Sequence, residues 1–248
     1  MTFPTYPDLH GRTVIITGGA SGIGEAFVHG FVANDAKVAF LDIQPDAGNA
    51  LQSATGARFV QCDLTDLDAL KDAIAAIGKD LGPVSVLVNN AANDLRQDFE
   101  SVTPSEFDWM MAVNFRHVYF AAQAVLPQMR EFGRGSIINM SSGAWMGGGP
   151  RMQAYSAAKA AIVGFTNSLA RDVGKDNIRV NAILPGAIVT ERQRRLWLTP
   201  EYEAEILAAQ ALKRLILPEE VARLALFLAA DDSAAITSQS CVIDGGWV

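Results

Sequence analysis

The sequence predicts an α/β fold in which a doubly wound parallel sheet of seven strands carries helices on both faces. Short, almost continuously apolar runs recur along the 248 residues, as expected for strands that are covered on both faces. Longer amphipathic stretches separate these runs, and such alternation gives parallel sheets with right-handed crossovers. The sequence shows no composition break, linker or repeat, so residues 1–248 are predicted to form a single domain.

The elements follow from this alternation of runs. The predicted strands are residues 13–17, 37–42, 58–63, 84–89, 136–140, 179–184 and 241–244. The predicted helices lie near residues 23–34, 44–54, 66–81, 104–129, 154–174 and 218–230. The segment 186–217 departs from the pattern and contains one further helix near 202–211. A long insertion of this kind is more typical of a functional lid than of a passive connector, so this segment is predicted to cover the substrate.

Composition excludes several classes of function. The net charge of −7 opposes a nucleic-acid backbone or an anionic membrane as the main partner. No secretion signal is apparent and every apolar stretch is interrupted well before eighteen residues, so we expect a cytoplasmic chain without a membrane span. The two cysteines, Cys62 and Cys241, are expected to be buried, reduced thiols. The three histidines are scattered, so no metal site is predicted.

A glycine-rich turn follows the first predicted strand. Residues 17–24 read Thr-Gly-Gly-Ala-Ser-Gly-Ile-Gly, with Gly18, Gly22 and Gly24 where the strand turns into the first helix. Without a Cβ the backbone can approach a pyrophosphate, which the free N–H groups of the helix N-terminus then bind. Such a pattern can also mark only a tight structural turn, but here it stands between a strand and a helix. The turn therefore predicts a bound dinucleotide.

Asp42 indicates which dinucleotide is preferred. It ends the second predicted strand, where a carboxylate can accept hydrogen bonds from the adenosine ribose and repel a 2′-phosphate. Neither Ser21 nor Ile43 provides a basic side chain to neutralise that phosphate. NAD is therefore predicted rather than NADP, the alternative being that Asp42 is only a loop or capping acid.

Two further segments end strands at the same edge. Asp63 follows the third strand and can reach the adenine, or it can cap the helix that begins near Asp66. The sequence Asn89-Asn90-Ala91 closes the fourth strand. Open α/β sheets bind their ligands at this carboxyl edge.

Tyr155 and Lys159 are four residues apart on a predicted helix and share one face. A nearby ammonium lowers a tyrosine pKa, so Tyr155 can exchange a proton with a carbinol oxygen during hydride transfer. Ser142 ends the fifth strand and can hold the same oxygen by a hydrogen bond. Asn114 lies in an apolar helix and must be satisfied there, either by the backbone or by a water that links Lys159 to solvent.

Together these motifs resemble the short-chain dehydrogenase/reductase family over essentially the whole chain. The resemblance implies a Rossmann-like fold, a catalytic set of Asn114, Ser142, Tyr155 and Lys159, and usually a homotetramer. One departure is Ala92, where most members have glycine. The cofactor contacts implied are Gly18, Ser21, Gly22, Ile23, Gly24, Asp42, Ile43, Asp63, Leu64, Asn90, Ala91, Tyr155, Lys159, Pro185, Gly186, Ile188 and Thr190.

Within this family the chain looks most like the bacterial aldose 1-dehydrogenases of the D-xylose type. The similar features are Tyr6-Pro7, the run from Asn89 to Asp94, and the lid. The reaction implied is oxidation of C1 of a pentose or hexose pyranose to the lactone, with reduction of NAD⁺. Candidate sugar contacts are Asn93, Asp94, Gln153 and Gln193, with Trp145 and Trp197 offering ring faces. Alternatively, the first two only form turns, the tryptophans only pack, and Gln153 is an exposed loop residue.

The lid also contains a basic run, Arg192, Arg194 and Arg195. Such runs are usually solvated, but one guanidinium can recognise a carboxylate. That would favour another secondary alcohol, such as a 2-keto-3-deoxy sugar acid or a hydroxyacyl compound. A third hypothesis is a nucleotide-sensing or scaffold protein that lost catalysis, which the intact catalytic set opposes.

Overall fold

The computed structural model describes residues 2–248 and contains one sheet of seven parallel strands in the order β3-β2-β1-β4-β5-β6-β7. The predicted doubly wound fold is confirmed. The strands are β1 Thr13–Thr17, β2 Lys37–Asp42, β3 Arg58–Gln61, β4 Val84–Asn89, β5 Gly135–Met140, β6 Ile178–Pro185 and β7 Ser240–Ile243. The order reverses beside β1, between β1 and β4, which is where such sheets bind ligands.

Helices connect the strands and form the outer layers. They are α1 Gly22–Val32, α2 Pro45–Thr55, α3 Leu67–Leu81, α4 Pro104–Met111, α5 His117–Phe132, α6 Ala144–Gly147, α7 Gln153–Val173, α8 Glu191–Leu196, α9 Pro200–Ala209 and α10 Pro218–Ala229. Three short 3₁₀ helices span Pro7–Leu9, Gly174–Asp176 and Asp231–Ser233.

Each face of the sheet has its own core. On β1, Val14 and Ile16 join a cluster that includes Phe27 of α1 and Leu226 of α10. Ile15 points the other way and joins a second cluster with residues of α3, α5 and α7. Because successive strand side chains point to opposite faces, a strand buried on both sides has to be apolar throughout. The central strands therefore show continuous apolar runs in the sequence.

The predicted helix 104–129 is not one helix. A π-helical turn, Ala112–Arg116, separates α4 from α5. Apolar periodicity does not reveal such a turn, because the residues on both sides still alternate with a helical period. The predicted strand 58–63 was too long, since the chain leaves the sheet after Gln61 and turns at Asp63–Thr65. The helix predicted near 202–211 is found as α9, and α6 and α8 were not predicted.

One prediction about the cysteines is wrong. Cys62 is buried, but Cys241 is only half-buried, because β7 lies at the edge of the sheet. Within residues 2–248, no helix is long and apolar enough to cross a membrane. The same residues contain no cluster of three or more side chains suited to hold a metal ion.

Candidate active site

Strand ends at the carboxyl edge bring the predicted site residues together. Thr17, Asp42, Asn89 and Pro185 end strands β1, β2, β4 and β6, and Ser142 follows β5. All seven strands are parallel, so these ends meet at the same edge. The structure thus joins residues that are far apart in the sequence.

The glycine turn is packed too closely for side chains. A Cβ on Gly24 would lie 1.9 Å from the carbonyl oxygen of Gly18, and one on Gly18 would lie 2.7 Å from the Cα of Ala91. Gly18 and Gly22 also have positive φ, at 65° and 61°. The glycines therefore allow the chain to turn sharply into α1, whose first N–H groups can bind a pyrophosphate.

Asn90 fastens this turn to the end of β4. Its side-chain amide donates to the carbonyls of Thr17 at 3.0 Å and Gly18 at 2.9 Å. The Thr17 hydroxyl in turn accepts from the backbone N–H groups of Asn90 and Ala91. Hydrogen bonds thus join the two predicted cofactor segments, residues 17–24 and 89–91.

Asp42 lies buried at the end of β2 with 7% of its surface exposed. One carboxylate oxygen accepts from Ala20 N–H at 3.0 Å, and the other accepts from the backbone and side chain of Gln44. A carboxylate has about four acceptor positions, so one remains for a ribose hydroxyl. The exposed Ser21 and Ile43 lie on either side of the site, and neither brings a positive charge.

Asp63 is exposed and accepts hydrogen bonds from the backbone and hydroxyl of Thr65. The alternative that it caps the next helix is wrong, because Asp66 accepts from Asp68 and Ala69 and is the N-cap of α3. Leu64, which follows Asp63, is buried.

The far end of the cleft is formed by the chain after β6. Gly186 could not accept a side chain, since a Cβ would lie 2.6 Å from the Cβ of Asp244. Ile188 is buried and bridges to Ile216. Thr190 caps α8 and lies against the glycine turn, with its methyl 3.2 Å from where a Cβ of Gly22 would be. Ile23, in the first turn of α1, is partly buried.

Tyr155 and Lys159 lie one turn apart on α7, as predicted. Lys159 is 2% exposed, and its ammonium donates to the carbonyl of Met140 at 2.7 Å. The same ammonium is 5.5 Å from the centroid of the Tyr155 ring. Ser142 accepts from the N–H of Ala144 at 3.1 Å, which leaves its own O–H proton free to donate.

Burial dominates the pKa values of this pair. It lowers the pKa of Lys159 to about 7 and raises the pKa of Tyr155 to about 12. The Ser142 hydroxyl acts against the rise at Tyr155, and the negative charge of Asp94 adds to it. The expectation that Lys159 lowers the pKa of Tyr155 is therefore not met here, because desolvation outweighs it. Ser142 is the group that favours the phenolate.

Asn114 occupies the π-helical turn and is fully buried. Its amide oxygen accepts from Asn93 N–H at 2.9 Å, while its amide nitrogen donates to the carbonyls of Asn93 and Met110. The sequence left open whether the Asn114 side chain bonds the backbone or a water. The structure shows hydrogen bonds to the backbone. Asn114 fixes the loop that follows β4.

His117 is a site residue that sequence reasoning missed. It is fully buried one turn after Asn114, and its Nε2 lies 3.1 Å from the carbonyl of Ala91, to which it donates. Burial, together with the charge of Lys159, lowers the pKa of His117 to about 4, so the ring is neutral. Its place three residues after Asn114 was the only available signal.

The candidate sugar contacts have different partners in the structure. Asp94 bonds across to the lid, accepting from Arg192 at 3.1 and 2.9 Å and from Gln193 at 3.3 Å. Asn93 accepts from Leu95 N–H and forms the turn that was its alternative. The other two arginines of the basic run, Arg194 and Arg195, are exposed.

Both tryptophans lie partly buried near the cleft. Arg96 stacks on Trp197, with its guanidinium carbon 4.1 Å from the ring centroid. The indole nitrogens of Trp145 and Trp197 are buried and have no hydrogen-bond partner among residues 2–248.

Gln153 is exposed but lines a cavity of about 520 Å³ together with Tyr155. The cavity continues along α4, past Phe99 and Phe107.

Comparison with known proteins agrees with this geometry. A family model described as enoyl-(acyl carrier protein) reductase matches residues 18–248. A "probable galactose dehydrogenase" of Rhizobium meliloti is 49% identical over 99% of both chains, and a D-xylose 1-dehydrogenase of Caulobacter vibrioides is 44% identical over 100% of both. A 3-oxoacyl-[acyl-carrier protein] reductase structure from Brucella melitensis superposes with a TM-score of 0.90 at 33% identity, covering 98% of this chain and 94% of that one. The chain belongs to the short-chain dehydrogenase/reductase family.

Proposed function

We propose that this protein oxidises C1 of an aldose pyranose to the lactone with NAD⁺ as the hydride acceptor. The observation that carries the proposal is the meeting of Tyr155 and Ser142 with the glycine turn at one sheet edge. The similarity to sugar dehydrogenases over the full length of the chain supports the choice of substrate. Asn114 and Lys159 complete the proposed catalytic set.

The residues fit a dinucleotide because a close backbone approach is built into the turn, where Gly18 and Gly24 leave no space for a Cβ. When bound, the nicotinamide supplies the chemistry of hydride acceptance. Ser142 donates a hydrogen bond to the C1 oxygen, and the phenolate form of Tyr155 accepts the proton of the C1 hydroxyl, so that C1 can release hydride. Because burial raises the pKa of Tyr155, this phenolate is the minor form near neutral pH. Asn114 keeps the neighbouring loop in place, and His117 does the same for Ala91.

NAD rather than NADP is part of the proposal, and Asp42 tests it. We expect Asp42→Asn to keep the hydrogen bonds to Ala20 and Gln44 in part, but to remove the charge that repels a 2′-phosphate. The ratio of kcat/KM for NADP⁺ to that for NAD⁺ should rise at least tenfold. Steady-state kinetics with both cofactors measure it, and an unchanged ratio would mean that Asp42 does not select the cofactor.

The alternative substrate is another secondary alcohol, such as a 2-keto-3-deoxy sugar acid or a hydroxyacyl compound. The sugar acid would need a free guanidinium in the lid to bind its carboxylate. Arg192 is engaged by Asp94 through two hydrogen bonds, so its charge is already compensated. This contact supports a neutral sugar, since only the exposed Arg194 and Arg195 of the basic run remain to bind a substrate carboxylate. The hypothesis of a sensor or scaffold that lost catalysis is opposed by the intact catalytic set, in which the Ser142 hydroxyl acts on that of Tyr155.

We also infer a cytoplasmic homotetramer. Large aromatic side chains on α4 and α5 are exposed, which is unusual on a free surface and supports association between copies. They are Phe107, Trp109, Tyr119 and Phe120.

The test of the proposed function is NADH formation, followed at 340 nm with purified protein and NAD⁺. The panel holds neutral aldoses such as galactose and xylose, sugar acids, and simple secondary alcohols, with NADP⁺ in parallel. Turnover on one or two aldoses is expected. Turnover confined to carboxylated substrates would move the assignment to the alternative substrate, and cofactor binding without any turnover would support a sensor.

A further inference from the structure

The loop after β4 and the lid are connected by two contacts in the structure. Asp94 of the loop pairs with Arg192 of the lid, and Arg96 of the loop stacks on Trp197 of the lid. These residues are about a hundred positions apart in the chain, so only the fold brings them together. The lid is held over the same loop that carries Asp94.

Asp94 is held in a fixed position from both sides. The residue before it, Asn93, has its N–H and its carbonyl bound by the side chain of the buried Asn114. The residue after it, Leu95, donates its N–H to the side chain of Asn93. A carboxylate on such a backbone has little freedom to move, which is what recognition of one hydroxyl requires.

The two carboxylate oxygens of Asp94 have different surroundings. Oδ1 accepts both contacts from Arg192, at 3.1 and 2.9 Å, whereas Oδ2 accepts only one long contact of 3.3 Å from Gln193. Each oxygen offers two acceptor positions, so one on Oδ2 is open. The side chain is 20% exposed and can therefore be reached by a ligand.

Asp94 directly precedes Leu95, which lines the same cavity as Tyr155. The charge of Asp94 acts on the Tyr155 hydroxyl and raises the pKa of that group. In the proposed binding mode, the C1 oxygen of the sugar meets Tyr155 and another of its hydroxyls faces Asp94. A hydroxyl can donate to Oδ2, whereas a second carboxylate placed there would be repelled.

We propose that Asp94 is a specificity-determining residue that accepts a hydrogen bond from a hydroxyl of a neutral aldose and disfavours sugar acids, and that Arg192 is the positioning residue that holds it. The inference rests on the proposed function. It assigns the lid arginine to the protein's own carboxylate rather than to the substrate's. Asp94 and Arg192 together then form one selectivity element.

The experiment compares one neutral aldose with its own uronic acid, for example galactose with galacturonic acid, which differ only at C6. Asp94→Asn removes the charge and keeps the size of the side chain. We expect kcat/KM for the neutral sugar to fall 10- to 100-fold, mainly through KM, and the acid-to-neutral ratio of kcat/KM to rise at least tenfold. Arg192→Met should also raise KM for the neutral sugar. The matched control is Arg194→Met, an exposed neighbour whose kinetics should stay within twofold of wild type.

Retained NAD⁺ affinity and an unchanged melting temperature show that the variants are folded. The proposal is overturned if Asp94→Asn leaves the acid-to-neutral ratio within twofold, or if the wild type prefers the uronic acid and Arg192→Met abolishes that preference. Failure of the proposed function looks different, since the wild type would then oxidise neither member of the pair while turning over another alcohol.

Discussion

Replacing Tyr155 with phenylalanine is expected to lower kcat for sugar oxidation by about 10²- to 10⁴-fold, the usual range for loss of a positioned general base. The ring and its packing against Lys159 remain, but the oxygen that accepts the C1 proton is removed. Because the hydroxyl does not shape the glycine turn, the affinity for NAD⁺ should stay nearly unchanged. Single-turnover kinetics and titration with NAD⁺ measure the two quantities separately.

A matched control is Tyr119→Phe on α5, which keeps the aromatic ring at the inferred subunit contact and removes only its hydroxyl, so kcat should stay unaltered. If Tyr155→Phe retains more than a few per cent of the wild-type kcat, Tyr155 is not the base. If it loses NAD⁺ affinity in parallel with kcat, its main role is in the cofactor site.

The second large effect concerns stability. Burial lowers the pKa of Lys159 from 10.5 to about 7, so between these values the unfolded chain binds more protons than the folded one. The free energy of unfolding therefore rises with pH across this window, by roughly 5 kcal/mol. Below pH 7 both states are protonated, and the folded state carries the full cost of the buried ammonium.

Lys159→Met should remove this pH dependence. At pH 6 the variant is expected to be more stable than the wild type by about 2–4 kcal/mol, because the removed cost exceeds the roughly 1–3 kcal/mol lost when the Met140 carbonyl loses its donor. Near pH 10 the order should reverse. Urea unfolding at several pH values measures the difference, with the exposed Lys71→Met of α3 as the control that should show neither change. If the free energies of unfolding of the wild type and of Lys159→Met change with pH in parallel, the ammonium of Lys159 is not the cause of the pH dependence.

The parts of the fold that the sequence predicts are those with a local cause. Strands buried on both faces need apolar runs, and the sharp entry into α1 needs Gly18 and Gly24, so both are visible as patterns. Tyr155 and Lys159 could be paired because four positions on a helix make one face. Such signals do not depend on the rest of the chain.

The features that the sequence does not predict have distant causes. The pairing of Asp94 with Arg192 joins residues 98 positions apart, and nothing near either of them indicates the other. The raised pKa of Tyr155 follows from burial in the assembled fold, whereas sequence reasoning considered only the neighbouring Lys159. His117 was missed because its partner, the Ala91 carbonyl, is a backbone atom, and its place three residues after Asn114 was a weak signal.

The π-helical turn at Ala112–Arg116 has a consequence for how this helical segment can vary. Each residue of a helix rotates the next by about 100°, so one additional residue changes the direction of everything that follows. Here the turn directs Asn114 to the loop after β4, while α5 still directs Ala121 and Val125 into the core. Deleting one residue from this turn would misdirect either Asn114 or the core residues of α5. Insertions and deletions are therefore restricted in this segment even though no residue in it contacts the sugar in the proposed mechanism.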